Sequence, residues 1–193
     1  MLPRSFYARD SLEVAPELLN KILVVGERAL RLVEVEAYRG GDDPASHAYR
    51  GPTPRTATMF GPPGFLYVYR SYGLHFCANV VCATDGVAQA VLLRAGAPAW
   101  GLPELRAARP TARADTDLAR GPGRLCQALG IDRTYDGADL AGGEGRAWLA
   151  CSGLPPPRRP ARGPRVGVSA AADRRWRWWV PGDPHVSPAR ITR

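Results

Sequence analysis

Lysine is almost absent from this chain: of 26 basic residues, only Lys21 is lysine. Schiff-base chemistry needs a nucleophilic amine, and arginine cannot supply one because its guanidinium stays protonated. Lys21 and the terminal amine are therefore the only candidates for it. Cysteine and histidine are scarce too. Cys77, Cys82, Cys126 and Cys151 make no C-x-x-C pair, and with only His47, His75 and His185 beside them no zinc pattern assembles. Reduced, mostly buried thiols are expected, and no metal or cofactor. No window approaches the ~18 unbroken apolar residues of a membrane span. Met1–Asp10 lacks the apolar centre of a signal peptide, so a soluble cytoplasmic protein is expected. G-x-S-x-G, a P-loop, H-E-x-x-H and a G-x-G-x-x-G following a strand are all missing. No internal repeat is visible.

What is present is 193 residues with an ordinary 45% apolar content, enough for one domain with a core of its own. Net charge is +8 and the pI near 9.9, which permits phosphate binding without proving it. The arginine fork suits phosphates, since it can hold two oxygens at once.

Hairpins dominate. In Phe65–Asn79, aromatic and β-branched runs flank Ser71-Tyr72-Gly73, and Gly73 can take the positive φ of a tight reversal, which predicts a β-hairpin with Tyr72 near its tip. Tyr72 either folds back onto its own domain or wedges into a partner's stacked interior; for a basic protein that partner is a nucleic acid. Tyr67 and Tyr69 share one strand face.

Asp10-Ser11 caps a helix running through Leu19. Ile22–Val25 and Leu30–Tyr38 form a second hairpin. In its second strand Val33, Val35 and Ala37 take one face and Leu32, Glu34, Glu36 and Tyr38 the other. A solvated edge accounts for Glu34; it accounts less well for Glu36, which shares its face with Tyr38.

Residues 40–63 form a long Gly/Pro-rich loop holding Asp42, Asp43, His47, Arg50 and Arg55. Ala88–Arg94 is a further strand. Leu102–Arg109 and Pro122–Leu129 are helices, and Trp148–Cys151, Arg165–Val168 and Trp176–Val180 are short strands. Pro155–Pro164 is a surface loop, and Pro181–Arg193 a loosely ordered basic tail. The fold class is α+β: one domain spanning 1–193 around an antiparallel sheet.

A strand carboxylate can act as general base on water, tyrosines can form a slot for a flat ring, and arginines can hold phosphates. Together these suit hydrolysis of an N-glycosidic bond to an extruded base, with a tyrosine wedge filling the gap.

At these residues the chain resembles the alkyladenine (3-methyladenine) DNA glycosylases. The matching segments are Val35-Glu36-Ala37-Tyr38 with Ala45-Ser46-His47, Leu66–Tyr69 through Tyr72-Gly73 to Asn79, Val91–Ala95, Gly121–Leu129 and Arg165–Val168. They run in the family's order, in a bacterial-type version. The resemblance implies a curved antiparallel sheet with a protruding hairpin. Glu36 would deprotonate the attacking water, which Arg94 and the Val168 carbonyl help to hold. Tyr38 would stack on one face of the flipped base, His47 and Tyr69 on the other. Asn79 would sit at the pocket floor, and Tyr72 would insert into the minor groove. The implied partner is double-stranded DNA containing damaged purines, met by a monomer associated with the nucleoid when bound. The lesion range stays open among 3-methyladenine, 7-methylguanine, hypoxanthine and ethenoadenine. His75 departs from vertebrate members, which carry an aromatic near the wedge.

Two other classes compete. A non-catalytic nucleic-acid binder would not need Glu36. An O-glycoside hydrolase could pair Glu34 with Glu36, about 7 Å apart by strand rise, although both would approach a sugar from one side.

Overall fold

The computed structural model describes residues 1–142 and 145–188. Two short helices open the chain, α1 (Arg4–Tyr7) and α2 (Ser11–Leu18). The Asp10 side chain accepts from Leu12 N and caps α2, whose Val14, Ala15 and Leu18 are buried. Strands β1 (Lys21–Val25) and β2 (Arg28–Tyr38) follow as a hairpin. After a long loop come β3 (Leu66–Ser71), β4 (His75–Cys82) and β5 (Gln89–Trp100), then helices α3 (Leu102–Ala108) and α4 (Pro122–Leu129). Three short strands end the order: β6 (Ala147–Cys151), β7 (Ala161–Gly163) and β8 (Arg177–Trp179).

One curved antiparallel sheet runs β3-β4-β5-β2-β1-β6; β8 joins β2 at Glu34–Glu36, and β7 pairs with β8. The α+β class holds. Strand periodicity divides the sheet into two faces. Leu66, Val68, Ala78, Val80, Val91, Leu93, Val35 and Ala37 turn to the main core, where α2 and α4 cover them. Each valine or leucine among them contributes about 2 kcal/mol by leaving water. The intervening residues, among them Tyr67, Tyr69, Cys77, Asn79, Leu92, Arg94, Glu36 and Tyr38, face the other way. That opposite face carries the site.

The structure corrects several expectations. β2 does not alternate strictly, because a bulge at Val33 shifts its register against β5 between Leu32 and Glu34. Leu32 therefore joins Val35 and Ala37 in the main core, while Val33 packs with Ala95, Ala97, Val180 and Val186. Glu34 is no solvated edge: it is fully buried. β5 runs past Arg94 to Trp100, since Gly96 does not break it; a Cβ there would lie 2.8 Å from Leu30 Cβ, so glycine lets the two strands approach. Arg165–Val168 is not a strand but a bend with Gly167 at φ 76°. The strand falls instead at Ala161–Gly163, inside the expected loop.

Of the segment expected to be a loose tail, Asp183 pairs with Arg31 at 2.6 Å and Ser187 is buried against Glu34. The rest, 189–193, lies outside the described residues. Among the described residues no helix is long and apolar enough to cross a membrane.

Candidate active site

A cavity of about 530 Å³ opens on the face opposite the main core, within the size range of small-molecule sites. Four neighbouring strands contribute: Tyr38 from β2, Tyr67 and Tyr69 from β3, Cys77 and Asn79 from β4, Leu92 and Arg94 from β5. The loop after β2 adds His47 and Arg55; the 166–168 bend adds its lip.

Glu36 lies immediately behind this wall and is fully buried. Its Oε1 accepts from Val166 N at 2.7 Å and lies 3.2 Å from Arg94 Nη1; its Oε2 accepts from the Tyr38 hydroxyl at 3.0 Å. Burial pushes the Glu36 carboxyl above the ordinary carboxylate range, against the pull of Arg94, the Val166 N–H and the Tyr38 hydroxyl. Glu34 adds to the rise by its like charge. Oε2 has one donor, so it retains capacity to accept another.

Arg94 is clamped between two glutamates. Its Nε donates to Glu34 Oε1 at 2.8 Å, while Nη1 faces Glu36. Glu34 also receives Arg177 Nη1 at 3.3 Å, Ser187 N at 2.8 Å and Ser187 Oγ at 3.0 Å.

The aromatic lining is ordered. Tyr67 and Tyr69 stack with centroids 5.5 Å apart and planes 28° from parallel. His47 meets Tyr69 edge-on at 4.5 Å, and its Nδ1 lies 3.2 Å from the Tyr67 hydroxyl. Burial and the nearby Arg55 charge lower the His47 pKa, so the ring is neutral near pH 7. Arg55 itself sits over the Tyr69 ring at 5.4 Å. Asn79 Nδ2 donates to Tyr67 O at 3.2 Å, which fixes its amide at the cavity wall.

The hairpin tip answers one of the open alternatives. Tyr72 and Gly73 both have positive φ (48° and 68°), and Leu74 N closes the turn on Ser71 O. Tyr72 is 92% exposed and Leu74 73%, so the tyrosine does not fold back onto its domain. A non-glycine residue in this conformation costs about 1–2 kcal/mol. Tyr72 also borders the cavity mouth.

All the sequence-expected residues thus converge, with Glu36 one layer behind the wall and Val168 at its lip. Sequence reading missed two groups. One is the Val166 N–H, which holds Glu36 directly. The other is the Arg165–Asp43 pair, fully buried and bidentate (Nη2–Oδ1 2.8 Å), with Arg165 Nη1 also donating to Ala37 O. The Arg165 guanidinium lies over Tyr38 at 4.6 Å, so one side chain both backs the tyrosine and ties the loop that carries His47 to β2. Neither group had a local signal, because each depends on residues more than 100 positions apart.

Comparison with known proteins identifies the family of the chain. The family model described as Methylpurine-DNA glycosylase matches residues 5–184. A Burkholderia cenocepacia protein named "Putative 3-methyladenine DNA glycosylase" is 53% identical over 190 residues, covering 98% of this chain and 92% of its own length. Proteins of the same name from Streptomyces avermitilis and Cutibacterium acnes are 50% and 47% identical; they cover 98% and 93% of this chain, and 92% and 96% of their own lengths. The aromatic cavity backed by a buried glutamate is thus found in a chain that belongs to the methylpurine-DNA glycosylase family.

Proposed function

We propose that this protein flips alkylated and deaminated purines out of duplex DNA and hydrolyses their N-glycosidic bond, leaving an abasic site. The observation that carries the reading is the buried Glu36 carboxylate, held by three donors directly behind an aromatic cavity. The flipped purine lies between Tyr38 on one side and His47 with Tyr69 on the other. An alkylated purine carries positive charge, which tyrosine faces favour and a neutral His47 does not oppose. Glu36 takes a proton from the attacking water, helped by Arg94 and the Val168 carbonyl. The water oxygen bonds to C1′ as the glycosidic bond breaks, and that electron pair leaves with the base. The enzyme works as a monomer on DNA, at the nucleoid.

The chemistry stops at base release. Lys21 lies on β1, its Nζ 3.9 Å from Cys151 Sγ of β6, and it is not among the cavity-lining residues. Met1, which carries the terminal amine, is not among them either, so neither amine is placed for a Schiff base. The reading is tested with duplexes that each carry one of the four lesions, scored by strand scission after alkali. Release of at least one damaged purine is expected; no release from any would overturn it.

Tyr72→Ala should reduce base flipping at least tenfold while leaving non-specific duplex binding within about threefold. The wedge acts only after the base leaves the stack, whereas arginine–phosphate contacts persist on any duplex. A 2-aminopurine beside the lesion reports the unstacking, and an equal fluorescence gain in both proteins would contradict the wedge.

Asn79→Ala should narrow the preference for hypoxanthine over guanine. Guanine differs by a 2-amino group that a fixed amide at the wall excludes by shape. Release rates from the two bases, compared between variant and parent, decide the matter; an unchanged ratio removes Asn79 from the selectivity.

A further inference from the structure

Beyond the base cavity, two contiguous clefts of about 420 and 300 Å³ lie where α3 ends and α4 begins, sharing Arg109 and Arg113. Their charges are not balanced. Arg106 is neutralised by Asp115 through two hydrogen bonds of 2.8 and 2.9 Å, and Asp117 faces Arg120 at 3.9 Å. Arg109, Arg113 and Arg124 have no carboxylate within ion-pair distance among the described residues. Arg109 is moreover buried, with only 8% of its surface exposed. Its Nε and Nη1 serve the fold, donating to Leu118 O at 3.1 Å and Gln127 Oε1 at 2.6 Å. Those bonds tie α3 to α4 but leave its charge uncompensated. Burial and the neighbouring Arg124 charge lower the Arg109 pKa, against the weaker opposing pull of Asp117, which lies in the cleft beyond ion-pair distance.

The position of this cluster gives it a partner. Arg124 lies in the first turn of α4, whose Pro122 lines the base cavity. Gly123 in the same turn abuts the hairpin: a Cβ there would lie 2.8 Å from His75 Cβ. Arg124 of the cleft therefore lies next in sequence to the residue that packs on the turn end of the hairpin presenting Tyr72. We propose that Arg109, Arg113 and Arg124 form a phosphodiester cleft that holds the DNA backbone flanking the point where Tyr72 enters the duplex. This rests on the reading of the protein as a DNA glycosylase. Arg109, preset by Leu118 and Gln127, supplies the fixed cation; Arg113 and Arg124 close on the phosphates from the rim. Backbone contacts of this kind set register on the duplex and carry no sequence information, which suits an enzyme that must accept lesions in any context.

The test leaves Arg109 in place, since its removal would strip two packing bonds from the α3–α4 junction. Wild type, Arg113→Ala/Arg124→Ala and the control Arg158→Ala/Arg159→Ala are titrated with undamaged and lesion duplexes across a salt series. Each lost phosphate contact lowers the slope of log K against log salt by about 0.9, so the cleft variant should lose about 1.8 on both duplexes and bind roughly tenfold or more weakly. The control removes equal charge from an exposed loop and should keep the wild-type slope. Single-turnover base release at saturating protein should stay within about threefold of wild type in the control. An unchanged slope in the cleft variant, or an equal fall in the control, overturns the cleft. Inorganic phosphate separates the DNA backbone from a free-anion site. Saturable phosphate binding at micromolar concentration, lost in the cleft variant while its duplex slope is unchanged, assigns the cleft to a free anion and overturns the proposal. Failure of the underlying reading looks different, because wild type itself would then release no base.

Discussion

Glu36→Gln is expected to lower the single-turnover rate of base release by at least a hundredfold while lesion-duplex affinity stays within about tenfold. General-base assistance supplies roughly 10²–10⁴ in rate, and the amide cannot accept the water's proton. Geometry should survive the change. The Gln carbonyl can still accept from Val166 N and Arg94, and its amide can donate to the Tyr38 hydroxyl where Oε2 now accepts. The stacking tyrosine thus keeps its partner, which is why binding is spared. Residual release above a tenth of wild type would remove Glu36 from the chemistry. The wild-type pH profile gives a second check. Only ionised Glu36 can act as base, and burial raises its pKa, so the rate should fall on the acid side at a pH above the ordinary carboxylate range. In Glu36→Gln that acid limb should vanish.

Local pattern reached some parts of this molecule and not others. The tip of the hairpin and the α4 boundaries were legible because glycines punctuate them: Gly73 allows the reversal, and Gly130 ends α4 in the left-handed conformation. The shared face of Tyr67 and Tyr69 followed from strand period alone. Period failed at Val33, where a single extra residue moves Leu32 into the core; Leu32 and Val33 are both apolar, so neither side chain marks which of them interrupts the alternation. Composition misled at Glu34. A charged residue near the middle of a strand reads as surface, yet its partners arrive from β5, β8 and the 181–188 segment, none of them near in sequence. The same cause hid the packing of Ser187. The roles of Glu36, Tyr38, His47, Tyr69 and Asn79 came from family resemblance, while their convergence on one cavity is a property of the fold.

Glu34 is where the second large effect should fall. Charge removal there acts on the site through Arg94, because one guanidinium bridges Glu34 Oε1 at 2.8 Å and Glu36 Oε1 at 3.2 Å. Truncation to alanine would leave Arg94 and Arg177 buried without that carboxylate, a loss of about 3–5 kcal/mol against a typical stability of about 5–15 kcal/mol. Glu34→Gln is the informative change, since it keeps volume and one carbonyl for Ser187 N or Arg94. Base release should fall about 30-fold or more, with lesion binding little changed. The fall comes from Arg94, which loses its charged anchor; separately, Glu36 loses a like-charged neighbour. The second has a definite sign. Glu36 is faced by Arg94, Tyr38, the Val166 N–H and Glu34, and of these only Glu34 is an anion raising its pKa by charge. Its removal favours ionised Glu36, so the acid limb should move to lower pH, where a general loss of packing would leave it in place. The outcome also bears on the sugar-hydrolase alternative, in which Glu34 and Glu36 would both be catalytic. Both Glu34 oxygens are taken up by Arg94, Arg177 and Ser187, whereas Glu36 Oε2 keeps room for a further donor, so Glu34 is not free to protonate a leaving group. Activity lost at Glu34 with a shifted acid limb marks a positioning residue for Arg94. A wild-type rate and an unmoved limb in Glu34→Gln would show that Arg94 is held without it.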